Sequence, residues 1–243
     1  MANKNWVIII SGPNGAGKST FHNRILLQNP FLADSEFINY DKEFANLKQN
    51  TSENTDEENL RRHALMKMRY KINTAFAEKR NVIFETTGAG IKQISRQAKQ
   101  NNFSVYGLHI NLQNPELSVA RVQHRVEHGG HDVPTNVILE RYAQNQAKLP
   151  QLLTLEDVAI VIDNSNKKAF MPIFVLSHGY LTNISECPEY LQDTRTIVKN
   201  KYPEKSYKQL LHFQQEVDIS TMTEEQRENF GQIVISNLLG QIR

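Results

Sequence analysis

Trp6-Val7-Ile8-Ile9-Ile10-Ser11-Gly12-Pro13-Asn14-Gly15-Ala16-Gly17-Lys18-Ser19-Thr20 joins two signals. Its first five residues are apolar and mostly β-branched, with no polar alternation. That pattern belongs to a strand buried on both faces, as in a parallel sheet. Gly12 to Ser19 then matches G-x-x-x-x-G-K-S/T, a phosphate-binding loop between a strand and a helix. Its glycines let backbone N–H groups turn inward around a phosphate, and the helix opening at Gly17 adds its positive end. Lys18 reaches the β- and γ-phosphates. Ser19 offers a hydroxyl to Mg²⁺, with Thr20 beside it. The whole loop, Gly12, Pro13, Asn14, Gly15, Ala16, Gly17, Lys18, Ser19 and Thr20, is therefore a predicted nucleotide site.

Outward from this loop, strand and helix patterns alternate. Strands are predicted at Glu36–Asn39, Asn81–Glu85, Phe103–Leu112 and Val158–Ile162. Helices are predicted over residues 21–27, 57–79, 92–101, 115–128 and 134–149, with Pro115 at a helix start that tolerates proline. The expected fold is α/β: a three-layer P-loop NTPase with a mostly parallel sheet of five or six strands. After about residue 168 the pattern changes. Residues 169–176 suit one more strand, and helix-like polar stretches follow at 190–200, 207–216 and 223–242. The expected division is a P-loop domain over 1–168 and a mainly helical extension over 169–243.

Composition bounds the partners. The 243 residues carry 28 Lys+Arg against 26 Asp+Glu, a formal net charge of +2. Dedicated nucleic-acid binders show a stronger basic excess, so no nucleic-acid partner is expected. The lone Cys187 cannot form an internal disulfide, which suits a reducing compartment. No signal peptide and no membrane-spanning run is visible, so the expected location is the cytoplasm.

The reaction is decided elsewhere in the chain. A GTPase needs Asn-Lys-x-Asp and an ABC-type ATPase its signature loop; neither is present. A small-molecule kinase needs an acid to take the proton of the attacking hydroxyl, and cations for the moving phosphoryl group. Asp41, in Asn39-Tyr40-Asp41 just after the second strand, is either that base or the N-cap of a helix over 42–47. Glu85 ends the third strand. It either holds a Mg²⁺-bound water or substrate hydroxyls, or it caps the next helix. Arg121 and Arg125 share one helix face, Gly129-Gly130 breaks that helix, and Arg141 follows on the next. Residues 121–141 read as a lid carrying arginines to ATP phosphates, against the alternative of a solvated basic face. His124, His128 and His131 are assigned to the lid rather than to zinc. Asp163-Asn164-Ser165 is either part of an adenine pocket or an ordinary turn.

The order GPNGAGKST, NYD, FETTG, ARVQHRVEHGGHDVP with IxxRY, then VIDNS resembles the zeta-toxin-like P-loop kinases over about residues 6–166. The arginine–glycine segment is its most specific part. The resemblance implies ATP-dependent phosphorylation of a small-molecule hydroxyl, typically the 3′-hydroxyl of UDP-N-acetylglucosamine; a related branch phosphorylates the ribose of NAD. It implies ATP and Mg²⁺ as cofactors, and a toxin whose partner is an antitoxin protein. It also implies that Lys18 and Ser19 bind phosphate and magnesium, and that Asp41 is the base. Glu85 and Thr86, with Asn39 beside the base, would contact substrate, and Arg121, Arg125 and Arg141 would act on the phosphates. The sequence departs from the family in Thr86-Thr87-Gly88-Ala89-Gly90, which is richer in glycine, and in Ala147-Lys148-Leu149-Pro150.

Overall fold

The computed structural model describes residues 5–27, 32, 35–51, 56–166 and 170–206, with Thr223, Ile235 and Asn237. Strand β1 is Trp6–Ser11, buried throughout. After the glycine loop come α1, Lys18–Phe21, and a π-helical stretch, His22–Leu26. Then follow β2 (Glu36–Asn39), α2 (Tyr40–Gln49), α3 (Glu57–Ala77), β3 (Val82–Thr86) and α4 (Ile91–Gln100). Next are β4 (Ser104–Asn111), α5 (Pro115–Glu127), α6 (Thr135–Leu153) and β5 (Val158–Asp163). The described chain closes with β6 (Met171–Ser177), β7 (Tyr180–Asn183), a 3₁₀ turn (Glu189–Leu191) and α7 (Gln192–Lys199).

The sheet order is β2-β3-β1-β4-β5-β6-β7. The first five strands are parallel, and β6 and β7 pair antiparallel at one edge. Both faces of β1 are covered, which is why its sequence does not alternate. Ile8 and Ile10 pack with Phe21, Leu26 and Ile162 on one side. Val7 and Ile9 pack with Ile72, Phe76, Ile94 and Ala98 on the other. Each such side chain contributes about 1.5–3 kcal/mol when fully buried. The chain leaves β1 with β3 on one flank and β4 on the other, so the loop after Ser11 opens at the point where strand order reverses. Open α/β sheets bind ligands there.

The α/β P-loop architecture is as expected, with two corrections. Among the described residues the sheet has seven strands where five or six were expected. The region expected to be mainly helical begins with two of them. Residues 171–177 match the expected strand. β7 carries little sequence signal, because it has only four residues and follows the turn His178-Gly179, which lacks the usual Asn-Gly. Both turn residues have positive φ, 49° and 80°, as a tight two-residue hairpin requires. α7 falls within the helix expected at 190–200; the helices expected at 207–216 and 223–242 lie outside the described residues. The helix expected to end at Leu149 runs through Pro150 to Leu153. Leu149, Leu152 and Leu153 are buried there, and that packing outweighs a proline penalty of about 3 kcal/mol.

Candidate functional site

The loop geometry follows from its glycines. A Cβ on Gly12 would stand 2.1 Å from the Ile110 carbonyl oxygen, so β4 comes too close for any other residue. Gly17 has φ +90° and precedes α1 as its N-cap, a left-handed position that disfavours other residues. The Lys18 ammonium is buried and donates to the carbonyls of Gly12 and Pro13, both at 2.9 Å. Burial lowers its pKa; the carboxylates of Glu85 and Asp41 oppose that shift, while Arg125 and Arg141 add to it. Ser118 Oγ donates to the Asn14 carbonyl and Asn164 Nδ2 to the Ala16 carbonyl, each at 2.8 Å, so the loop is braced from both sides.

A cavity of about 420 Å³ lies at the C-terminal ends of β2 and β3, and Lys18, Asn39, Asp41, Glu85, Thr86 and Arg141 all line it. Strand register explains part of this. Asn39, Glu85 and Ile10 stand in one row across β2, β3 and β1, level with the entrance to the loop. Asn39 Oδ1 accepts from the Lys42 N–H at 2.9 Å and caps α2. Asp41 is therefore not the cap; it lies in the first turn, exposed, with its carboxylate toward the cavity. Ser19 Oγ lies 3.1 Å from both oxygens of the buried Glu85 carboxylate and donates to it. Glu85 does not cap α4, because Gly90 holds that place. Thr86 Oγ1 donates to the Ala89 carbonyl at 2.8 Å and accepts from the Gly88 N–H at 3.2 Å, so it shapes the 86–89 turn while facing the cavity.

The three arginines part company. Arg141 Nη1 donates to Asn14 Oδ1 at 3.3 Å and lines the cavity. Arg125 donates to the His131 carbonyl at 2.6 Å and ties down the glycine turn after α5. Arg121 is half-buried between the carbonyls of Gly15 (3.5 Å) and Ser165 (3.1 Å), on the other flank of the loop. Burial lowers its pKa, with Asp163 opposing. Asp163 Oδ1 accepts from the Ser165 N–H and hydroxyl as a turn residue does. Asp163 and Ser165 line a cleft of about 510 Å³ with Gln113 and Tyr190. Tyr190 donates to Asp163 at 2.8 Å, and burial drives its phenol pKa upward.

Sequence reasoning missed further lining residues of the cavity, Arg69 and Asn73 from α3 and Gln93 and Gln97 from α4. No motif marks them. The available signal was spacing: each pair is four residues apart, on the edge of an apolar helix face. Asn145 was missed too. It donates to the Thr87 carbonyl at 2.8 Å and holds α6 against the turn after β3.

A family model described as an AAA domain matches residues 7–151. The chain belongs to this AAA-domain family. Among solved structures, the PezAT toxin-antitoxin system of Streptococcus pneumoniae aligns at 16% identity and TM-score 0.51, covering 82% of this chain and 88% of that one. The AvrRxo1-ORF1:AvrRxo1-ORF2 structure with sulphate ions aligns at 10% identity and TM-score 0.60, covering 82% and 77%. The AvrRxo1-ORF1:-ORF2 structure with ATP aligns at 12% identity and TM-score 0.60, covering 81% and 64%. At these identities the likeness is one of fold. No curated protein sequence matches the chain. The AAA-domain match stops short of β5, yet β5 to β7 continue the same sheet. Among the described residues no helix is long and apolar enough to cross a membrane.

Proposed function

We propose that this AAA-domain protein is a phosphotransferase that moves the γ-phosphoryl of ATP to a hydroxyl of a small molecule. One observation carries the reading: Lys18, Asp41, Glu85 and Arg141 line a single cavity beside the phosphate loop. A nucleotide switch or simple ATPase has no need of an acceptor-sized space there. A kinase needs it, with a carboxylate for the proton and cations for the phosphoryl group.

The donor set suits magnesium. A serine hydroxyl and a buried carboxylate in contact are hard oxygen donors, and Ser19 and Glu85 supply them. Mg²⁺, when bound, neutralises charge on the β- and γ-phosphates. The chain does the rest. Loop N–H groups and Lys18 hold the phosphates. Asp41 takes the acceptor's hydroxyl proton as the new O–P bond forms and ADP departs. Arg141, and Arg125 once the lid loop shifts, supply charge to the transferring phosphoryl oxygens. Arg121 braces the loop on the nucleoside side.

The acceptor proposed is a nucleotide sugar such as UDP-N-acetylglucosamine. Arg69 and the amides of Asn73, Gln93 and Gln97 suit a polar, anion-bearing molecule, and Met68, Ile72 and Ile94 suit its ring faces. The fold shared with PezAT and AvrRxo1-ORF1 extends the proposal to a toxin restrained by a cognate partner protein. The test uses purified full-length chain, labelled ATP and a panel of nucleotide sugars and dinucleotides, read by mass. A phosphorylated nucleotide sugar supports the reading, and a phosphorylated dinucleotide reassigns the acceptor. ATP binding with no product from any acceptor would replace it with an ATP-binding regulatory protein.

A further inference from the structure

Beneath the loop, three polar side chains form a line that neither cleft touches. Ser11 Oγ lies 2.7 Å from His109 Nδ1, and His109 Nε2 lies 2.7 Å from Glu156 Oε2. All three are buried: Ser11 is 2% exposed, His109 1% and Glu156 8%. They sit on the sheet face that carries Val7, Ile9 and Val105, against Ile91, Ile94 and Ala98 of α4. Side chains two apart on a strand share a face, so Ser11 follows Val7 and Ile9 while His109 follows Val105. Register sets Ser11 directly beside His109.

This arrangement is an expensive way to fill a core. A buried carboxylate and imidazole stabilise less than well-packed apolar residues of the same volume. Glu156 Oε1 has no hydrogen-bond partner among the described residues. Space is also cleared for it, because a Cβ on Gly107 would stand 1.7 Å from Glu156 Oε2. The neighbouring Asp157 is pinned to β4 through both its backbone and its side chain. Its N–H donates to the Val105 carbonyl, and its Oδ2 accepts from the Val105 N–H, each at 2.8 Å. Glu156 therefore enters the sheet from a fixed point, with its carboxylate on the imidazole.

The line ends at the loop. Ser11 is bonded to Gly12, whose carbonyl accepts from Lys18 and whose Cα packs on the carbonyl of Ile110, the residue after His109. We propose that His109 is a positioning residue: held through one nitrogen by Glu156 and bonded through the other to Ser11, it sets where β1 passes into Gly12 and thereby sets the loop's affinity for a nucleotide. With Nε2–H donating to the carboxylate, Nδ1 accepts a hydrogen bond from the Ser11 hydroxyl, so the serine has one direction and the first loop peptide one orientation. Burial keeps the trio from acting as a nucleophilic triad. Its effect passes through the backbone of Ser11 and Gly12.

The inference rests on the loop being a nucleotide site, and the experiment separates the two. ATP affinity of the full chain is measured calorimetrically for wild type, Ser11→Ala, His109→Gln and the double variant, below each protein's melting transition. Ser11→Ala should weaken ATP binding about tenfold, one hydrogen bond's worth of positioning, in protein that is still fully folded. The double variant should lose no more than the worse single variant, because one chain of contacts is being cut. A merely structural role lowers the melting temperature and leaves affinity alone, so a folded Ser11→Ala protein with wild-type affinity overturns the inference. Additive losses overturn it as well. If His109→Gln does not fold, Ser11→Ala decides alone. Wild-type protein that binds no ATP would instead strike at the proposed function, and the inference would fall with it.

Discussion

Asp41→Asn separates chemistry from architecture at one position. Asn39, not Asp41, caps α2, through the Lys42 N–H at 2.9 Å. Asp41 is exposed and lies in the first turn of that helix. Losing its charge there forfeits a helix-dipole term of about 0.3–1 kcal/mol and nothing more. The isosteric amide cannot accept the acceptor hydroxyl's proton, and loss of a general base costs roughly 10²- to 10⁴-fold in turnover. At about 1.36 kcal/mol per decade, that is about 2.7–5.4 kcal/mol of barrier. Catalysis should therefore fall far more than stability, with ATP affinity close to wild type. The contrast is Asn39→Ala, which removes the cap, costs about 1 kcal/mol and lowers the melting temperature by about 2–4 °C. Single-turnover transfer from labelled ATP, paired with thermal melts, reads both. Turnover of Asp41→Asn within a few-fold of wild type would refute its role as base.

Other perturbations test neighbouring steps. Lys18→Met should abolish detectable ATP binding by calorimetry while the chain stays folded, because its ammonium is the buried cation of the loop. Glu43, on α2 next to the Asp41 turn, pairs with Lys67 at 3.1 Å and with Lys71, both on α3. Burial pushes its carboxyl pKa up, but hydrogen bonds from Lys71 and Lys67 outweigh that and hold it below the ordinary 4.5. The stability this pair gives is thus complete above 4.5 and is lost as pH falls through the lower folded-state value. Denaturant melts from pH 6 to pH 3 should show a steeper acid decline in wild type than in Glu43→Gln, and equal slopes would exclude the clamp. Gly107→Ala should displace Glu156 and cost about 3 kcal/mol, seen as a melting temperature lower by about 6–12 °C; an unchanged melt would mean the carboxylate moves freely. Deleting residues 170–243 removes β6 and β7, opens the β5 edge and uncovers Leu149, Leu153 and Val161. The truncated chain should be insoluble on expression, and a cooperatively melting, soluble product would show that β6 and β7 are dispensable to the core.

The stretch from Trp6 to Ser19 was legible because its signals are local: a doubly buried strand, glycines with positive φ, and a lysine at fixed spacing. The same holds for α3, where Leu60, Ala64, Ile72 and Phe76 mark the buried face. Local ambiguity was harder. Asn39-Tyr40-Asp41 offers two capping residues two positions apart, and only the extended backbone at Asn39 (φ −139°, ψ 128°) assigns the cap. That assignment frees Asp41 for the cavity. Non-local features left no mark at all. Glu156 and His109 are 47 positions apart, and Arg69 and Gln93, on different helices, line one cavity.

The expected boundary at residue 168 falls between strands of one sheet, because β6 pairs with β5 and β7 with β6. A phosphate loop is read as a motif, but its stiffness comes from residues that hold it from below and beside. Asn164 donates to the carbonyl of Ala16, Glu156 reaches Ser11 through His109, and Tyr190 fixes Asp163, whose oxygen orders Ser165 against Arg121. Asn164, Glu156, Asp163, Ser165 and Tyr190 lie beyond residue 151, where the AAA-domain match ends, and His109 lies within it. An orphaned or strained loop backbone binds phosphate weakly, because its N–H groups must be aligned before the ligand arrives. The part of the chain that names the family therefore carries the groups proposed to hold phosphate. The part outside the match supplies several of the hydrogen bonds that hold the loop in place.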